Sequence, residues 1–423
     1  MRTIFFIAIC FATIVTAAYA QNNVSPYSSI GVGDIEKGYF DRSSGLGGAG
    51  LALSGGRFLY NSNPAAYSFL DDRYFHLETS ARYKNINYSG KAISTTSNNQ
   101  SADLQIKKLT AAIKLKPYWG FSVGLLPFSN SNYSFYSLKT VQGSGSFIDA
   151  YNEGTGNLSQ FYIANSFKLR KNLSIGLQVN YFFGQLQRTE TLYNAITDSG
   201  LVTLNTITLN NPQFKLGIQY KPLINKNLRL SIGATGSLQT KLRSTEMLNI
   251  KYGGSTLYNN DTYSTGYYTL PVMAGAGIAA IYKEKITITA DYHFQNWSDI
   301  NKSGLSYRLV NSNKIAGGIE YSKKLEFTEN FTNQKIKFER IFYQLGGFYS
   351  NSYLQVYGKQ LTDYGITMGI GLNSMRNTMG IIAGLELGTR GTTKGSLIKE
   401  NYTQFNVTLC YRDIWFTSKK RYN

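Results

Sequence analysis

Segments of about ten residues in which apolar and polar side chains alternate recur along this chain, and successive side chains of a strand point to opposite faces. From Leu173 the apolar set is Leu173, Ile175, Leu177, Val179, Tyr181 and Phe183, with Ser174, Gly176, Gln178 and Asn180 between. From Ile286 the set Ile286, Ile288, Ala290, Tyr292 and Phe294 opposes Thr287, Thr289, Asp291, His293 and Gln295. Met379, Ile381, Ala383, Leu385 and Leu387 oppose Thr378, Gly380, Gly384 and Glu386, and Phe405, Val407, Leu409 and Tyr411 oppose Asn406, Thr408 and Cys410. Each segment therefore has one greasy and one wettable side. A soluble sandwich shares that pattern, but a length of about ten residues is what a tilted strand needs to cross hydrocarbon, and aromatics recur near the segment ends.

Fourteen such segments are legible: 74–88, 104–115, 119–128, 159–168, 173–187, 212–221, 228–240, 267–282, 285–296, 313–322, 339–349, 363–372, 378–387 and 402–411. Short connections such as Lys116-Pro117-Tyr118 and Lys283-Glu284 alternate with long polar stretches near 89–103, 137–158, 188–211, 241–266, 297–312 and 388–401. The fold class expected is all-β, a transmembrane antiparallel barrel over 74–416 with long loops outside and short turns in the periplasm. An even strand number puts both chain ends on the periplasmic side. The connection 323–338 is long where the pattern calls for a short one, and the alternation gives no reason for it.

The start of the chain fits the same destination. Arg2, the apolar run from Ile4 to Ala17, and Ala18-Tyr19-Ala20 read as an export signal over 1–20, cleaved after Ala20. Beyond Ala20 no stretch reaches the roughly 18–20 apolar residues of a membrane helix, and the mature chain keeps one cysteine, Cys410, too few for an intrachain disulfide. With 33 Tyr, 24 Phe and only 7 Pro, composition favours strands. The net charge of +19 is scattered through turns and a basic tail over 417–423 rather than gathered on one face. It suits contact with anionic lipid head groups better than a phosphate grip, so outer-membrane lipids are expected partners and nucleic acid is not.

Residues 21–73 do not alternate. They are rich in Gly, Ser and Asn, yet carry Ile30, Leu46, Leu51, Leu53, Phe58 and Leu59, which a solvated tail need not have. A barrel of fourteen strands is wide enough to need filling, and a plug, or hatch, is the expectation. Pro127, which cannot donate to a ladder, follows the run Phe121, Val123, Leu125 and marks either a strand end or a break in the wall.

Several of these segments resemble one known family. Ser25-Pro26-Tyr27-Ser28-Ser29-Ile30-Gly31-Val32-Gly33-Asp34, the Gly45–Leu53 segment and Asn61-Ser62-Asn63-Pro64-Ala65-Ala66-Tyr67 are similar to the start of FadL-like barrels, outer-membrane transporters of long-chain fatty acids and aromatic hydrocarbons. Gly124-Leu125-Leu126-Pro127-Phe128-Ser129 resembles the segment where that family's third strand kinks inward and opens a side portal. Glu400-Asn401-Tyr402 and Arg412-Asp413-Ile414-Trp415-Phe416 look like a divergent branch. The resemblance implies uptake of a hydrophobic small molecule through a plugged barrel, with Asn63, Pro64 and Ala65 of the hatch packed near the break at Gly124 and Pro127 as a gate. Barrels of the type IX secretion pathway are similar in shape yet serve as protein-handling partners, so a subunit of a secretion or assembly complex is the competing expectation.

The histidines His76 and His293 fall on the inward face with Glu78, Arg82 and Asp291. No nucleophile motif and no metal-ligand spacing accompanies them, so no catalysis, cofactor or metal is expected. They read as polar lumen groups bonding to the plug, since buried polar groups need partners.

Overall fold

The computed structural model describes residues 25–415 except 39, 91–98, 141–142, 144–146, 195–198, 301–303, 305, 329–334, 376–377 and 396; the expected export signal and the basic tail lie outside the described residues. Alternation becomes one antiparallel sheet closed on itself. Its staves are β1 (Tyr74–Gly90), β2 (Gln100–Lys116), β3 (Trp119–Asn130, continued by Tyr133–Thr140), β4 (Phe147–Arg170) and β5 (Leu173–Asn194). Then come β6 (Ser199–Tyr220), β7 (Leu228–Ser237, continued by Thr240–Tyr252), β8 (Met273–Tyr282, preceded by Ser255–Leu270) and β9 (Ile286–Gln295). The last five are β10 (Ser312–Thr328), β11 (Lys335–Val356), β12 (Lys359–Asn373), β13 (Met379–Gly391) and β14 (Ile398–Ile414). β14 pairs with β1 from Ile398↔Gly90 to Ile414↔Tyr74, which closes a fourteen-stave barrel and leaves no end seam. Closure matters because a bilayer cannot satisfy a free sheet edge.

The two faces divide as their chemistry requires. Leu177, Ile288, Tyr292, Ile366 and Leu409 point outward and are exposed, while Gln178, Thr289, Asp291, Thr367 and Thr408 point inward and are buried. The segments from 137–158, 188–211 and 241–266, expected as loops, are for the most part ladder. β4 to β6 run on past the wall, and Thr240–Tyr252 pairs with β6 from Arg243↔Asn210 to Tyr252↔Leu201, then with Ser255–Leu270. This crest was not legible because both of its faces are wet. Its Thr, Tyr and Asn residues favour strands without an apolar period to announce them. Likewise 323–338 is no loose insertion. β10 and β11 stay paired from Lys324↔Glu339 to Thr328↔Lys335, a hairpin that prolongs two staves on the short-turn side.

The chain before β1 lies inside this wall. Leu46, Leu51, Leu53, Phe58, Leu59 and Tyr67 are buried among inward residues contributed by staves all round the barrel. Glycines make the close approach possible. At Gly176 an added Cβ would sit 2.4 Å from the Pro64 carbonyl carbon, and at Gly217 it would sit 2.2 Å from Asn63 Oδ1. Gly217→Val should therefore push Asn63-Pro64 off the wall. Overpacking of about 1–3 kcal/mol should raise tryptic cleavage after Arg57 by about tenfold or more, since 1.4 kcal/mol is a tenfold change in an equilibrium. Unchanged cleavage would show that this contact does not seat the segment.

Candidate functional site

Among the described residues the wall is breached between β2 and β3. Their ladder runs from Lys116↔Trp119 to Leu109↔Leu125 and stops, while β3 keeps pairing with β4 through Asn130↔Asn157. Two irregularities produce the opening. On β3 the register slips between Pro127 and Ser129, so Phe128 is an extra residue there, and its ring turns inward to meet Phe182 edge-on at 4.8 Å. On β2 the register slips between Lys108 and Ile106, so Lys107 is the extra residue and Lys107 and Lys108 both lie buried inside. A bulge adds twist and re-aims side chains, and Pro127 has no N–H to give back to the ladder.

The N-terminal segment occupies the space behind this breach. Asp34 and Ile35 pair with Asn130 and Ser129, the Glu36 N–H donates to Phe128 O at 2.9 Å, and Ser129 Oγ donates to Val32 O at 2.6 Å. Glu36 then reaches the far side of the gap, accepting from Lys107 Nζ and, at 3.1 Å, from Arg82 Nη1. Arg82 also lies 3.5 Å from Asp103 of β2, and Asp34 is held by Arg390 at 2.7 Å. The break is bridged by a short extra strand on one side and an ion cluster on the other.

Burial alone would raise the Glu36 carboxyl, but Lys107 and Arg82 outweigh it and hold the group down at about 2. A carboxylate depressed in the folded state stabilises docking above its unfolded value of about 4.3, and that contribution, about 3 kcal/mol, disappears as pH falls toward 2. A spin label at Gly38→Cys, where nothing lies within 4 Å of the added Cβ, should be immobile at about pH 6 and progressively mobilised as pH falls from about 4 toward about 2. Unaltered spectra across that range would contradict the bridge.

The residues expected as a gate separate into two places. Asn63 caps the 3-10 turn Pro64–Phe69, its Oδ1 accepting from the Ala65 N–H at 3.0 Å and its Nδ2 donating to Leu51 O at 2.9 Å and Ile218 O at 3.1 Å. Asn63, Pro64 and Ala65 thus sit on β5 and β6, against Gly176, Gly217, and Ser174, not at the break. What meets the break is Asp34 to Glu36, because only that stretch is extended enough to continue a ladder. Gly124 touches the N-terminal segment indirectly. It packs under the Tyr162 ring, whose hydroxyl accepts from Asn61 Nδ2 at 2.6 Å.

The inward polar set holds backbone of the same segment. Glu78 accepts from the Leu59 N–H at 2.9 Å and pairs with Lys108, which donates to Leu59 O at 3.0 Å. His76 Nδ1 lies 3.0 Å from Arg57 O. Asp291 Oδ2 accepts from the N–H groups of Gly50 and Leu51 at 2.7 and 2.8 Å, and His293 lies 3.9 Å from that carboxylate. Glu36, Lys107 and Arg42 carry as much of the architecture and were not among the expected residues. The adjacent pair Lys107-Lys108 inside an alternating segment was the available signal for a bulge. Among the described residues no group of three or more His, Cys, Asp or Glu could hold a metal ion.

Beside the breach is a cavity of about 220 Å³. Phe128 and Phe182 line it, but so do Glu36, Lys37, Lys107, Gln178, Lys215, His293 and Lys314. Its walls set these charged and amide groups among apolar surface from Leu51, Leu126 and Met273.

The BamG family model matches residues 1–423, the whole sequence. The chain belongs to the BamG family. No curated protein sequence matches this BamG-family chain. Its fold is similar to that of a FadL homologue from Pseudomonas aeruginosa, with a TM-score of 0.59 and 14% identity over 88% of this chain and 98% of that one. It is also similar to the Pseudomonas putida toluene transporter TodX, with a TM-score of 0.58 and 16% identity over 92% of this chain and 100% of that one. The Ralstonia pickettii toluene transporter TbuX gives 0.53 and 14% over 92% and 99%. At such identities the likeness is one of fold, and this BamG-family barrel shares the fold of those structures.

Proposed function

We propose that this chain is an interaction barrel, a partner in an outer-membrane protein-assembly complex, rather than a conduit. The observation that carries this reading is the braced lumen. Arg42 joins Glu320 and Glu339, Lys37 meets Asp363, Arg390 joins Asp34, and Glu36 joins Lys107 and Arg82. An apolar solute crossing this interior would have to strip and not replace those contacts, which is costly. The cavity beside the breach sets Glu36, Lys37, Lys107, Lys215 and Lys314 among its apolar surface, more charge than a hydrophobic ligand site carries. Membership of the BamG family and the crest's exposed Tyr193, Tyr252, Leu257, Tyr258 and Tyr263 favour a docking role.

Uptake of a small hydrophobic compound is the second reading. The breach between β2 and β3 and the shared fold with toluene transporters favour it. A solute entering sideways at Leu126 and Phe128 would avoid part of the charged interior. Purification from native membranes separates the two. Stoichiometric protein partners are expected; a barrel that emerges alone with lipid or hydrocarbon in its lumen would establish uptake instead.

A further inference from the structure

We infer that the unpaired edge of β2 over Leu104–Lys108 is a docking site for a membrane β-strand of another outer-membrane chain. This rests on the assembly-partner reading and names the surface and the chemistry of the partner. β1 covers one side of this stretch, from Leu104↔Tyr83 to Lys108↔Ser80. On the other side the ladder with β3 ends at Leu109, and among the described residues no strand pairs with 104–108 there.

The edge lies where water is scarce. Leu104, Ile106 and Leu109 point outward in the apolar band that Leu77 and Tyr83 continue on β1. Ile106 is 78% exposed, above the 62% of Leu216 and 59% of Ile315, which have paired strands on both sides. Hydrocarbon has neither donors nor acceptors for the backbone groups so bared, and open sheet edges are not left facing lipid.

The chain's own β3 is not free to return. Ser129 and Asn130 are paired with Ile35 and Asp34, Phe128 O is taken by the Glu36 N–H, and Pro127 has no proton to offer. A lipid cannot fill the ladder, and a membrane helix has already spent its backbone groups on itself. The occupant that fits is an extended segment with a free edge of its own. It alternates apolar residues, outward beside Ile106, with polar residues, inward beside Lys107, and it binds by strand addition.

The test is site-specific photo-crosslinking in native outer membranes, with the probe at Leu104 or Ile106 and control probes at Ile163 and Ile288. Adducts from Ile106 should map to a β-strand of another membrane protein, and the adduct from Leu104 should shift along that strand by the spacing a ladder dictates. The controls should yield lipid. Lipid-only adducts at Ile106, or intrachain adducts to residues 126–130, would overturn the docking edge. If stoichiometric partners co-purify while Ile106 meets only lipid, the edge inference fails and the partner role stands. A barrel that purifies without any protein partner removes both.

Discussion

Arg42→Met should release the N-terminal segment while leaving the barrel assembled. Arg42 donates to Glu320 at 2.5 and 2.9 Å and to Glu339 at 2.7 Å, and its guanidinium lies 4.0 Å from the Phe342 ring centroid and 4.7 Å from that of Phe58. Removing the cation leaves two carboxylates facing each other with little water. Breaking a buried pair from one side costs about 3–5 kcal/mol, since the remaining charge stays desolvated. Cleavage by trypsin after Arg57 should then become rapid, with heat-modifiable mobility on gels unchanged. Adding Glu320→Gln and Glu339→Gln should restore most of the protection, because a well-matched neutral set has no charge to strand. If Arg42→Met alone stays as protected as the native chain, the ion network is not what seats the segment.

That network bears on function through specificity of place. The segment is fixed at separate stations that include Glu36 at the breach, Arg42 across β10 and β11, Asp291 under Gly50 and Leu51, Glu78 at Leu59, and Asn63 on β5 and β6. Each station charges a cost for displacement that a small apolar solute has no means to offset. A protein partner that replaces ladder bonds and polar contacts in kind does have such means. The same interior that argues against conduction is therefore compatible with a barrel whose breach edge is remodelled by another chain.

The wall was legible from the sequence because one physical rule generates it. A stave with lipid on one side and a polar interior on the other must alternate, so Ile286 to Gln295 declares both its conformation and its facing. The crest over 240–270 obeys no such rule, having water on both faces, and so reads as loop. The interior segment was legible as buried from Leu46, Leu51 and Phe58, but its path was not, because 3-10 turns and glycine contacts leave no period. For the same reason the Asn-Pro-Ala turn was expected at the break, when the extended Asp34 to Glu36 stretch is what reaches it. Side-chain roles followed the same division. Asp291 and Glu78 were recognisable as inward charges, yet that they hold backbone N–H groups of Gly50, Leu51 and Leu59 depends on contacts more than two hundred residues apart or on a bulge.

Leu177→Arg should impair assembly severely, and Gln178→Arg should not, although the two residues are neighbours in sequence. Leu177 is 42% exposed on the outer face, within the alternating apolar run Leu173 to Phe183 of β5, and Gln178 is 2% exposed and lines the interior cavity. An arginine at the bilayer midplane costs about 2–4 kcal/mol in a membrane barrel. At Gln178 the same side chain finds a cavity of about 220 Å³ whose walls include the carboxylates Glu36 and Asp363. Ile288→Arg on β9 should match Leu177→Arg, since Ile288 is 56% exposed on the same outer face. The measurement is the fraction of heat-modifiable barrel formed in outer membranes or on refolding into lipid vesicles. Comparable losses from Leu177→Arg and Gln178→Arg would mean that the outer face of β5 does not meet hydrocarbon, and with it would go the hydrocarbon setting on which the bare edge at Ile106 depends.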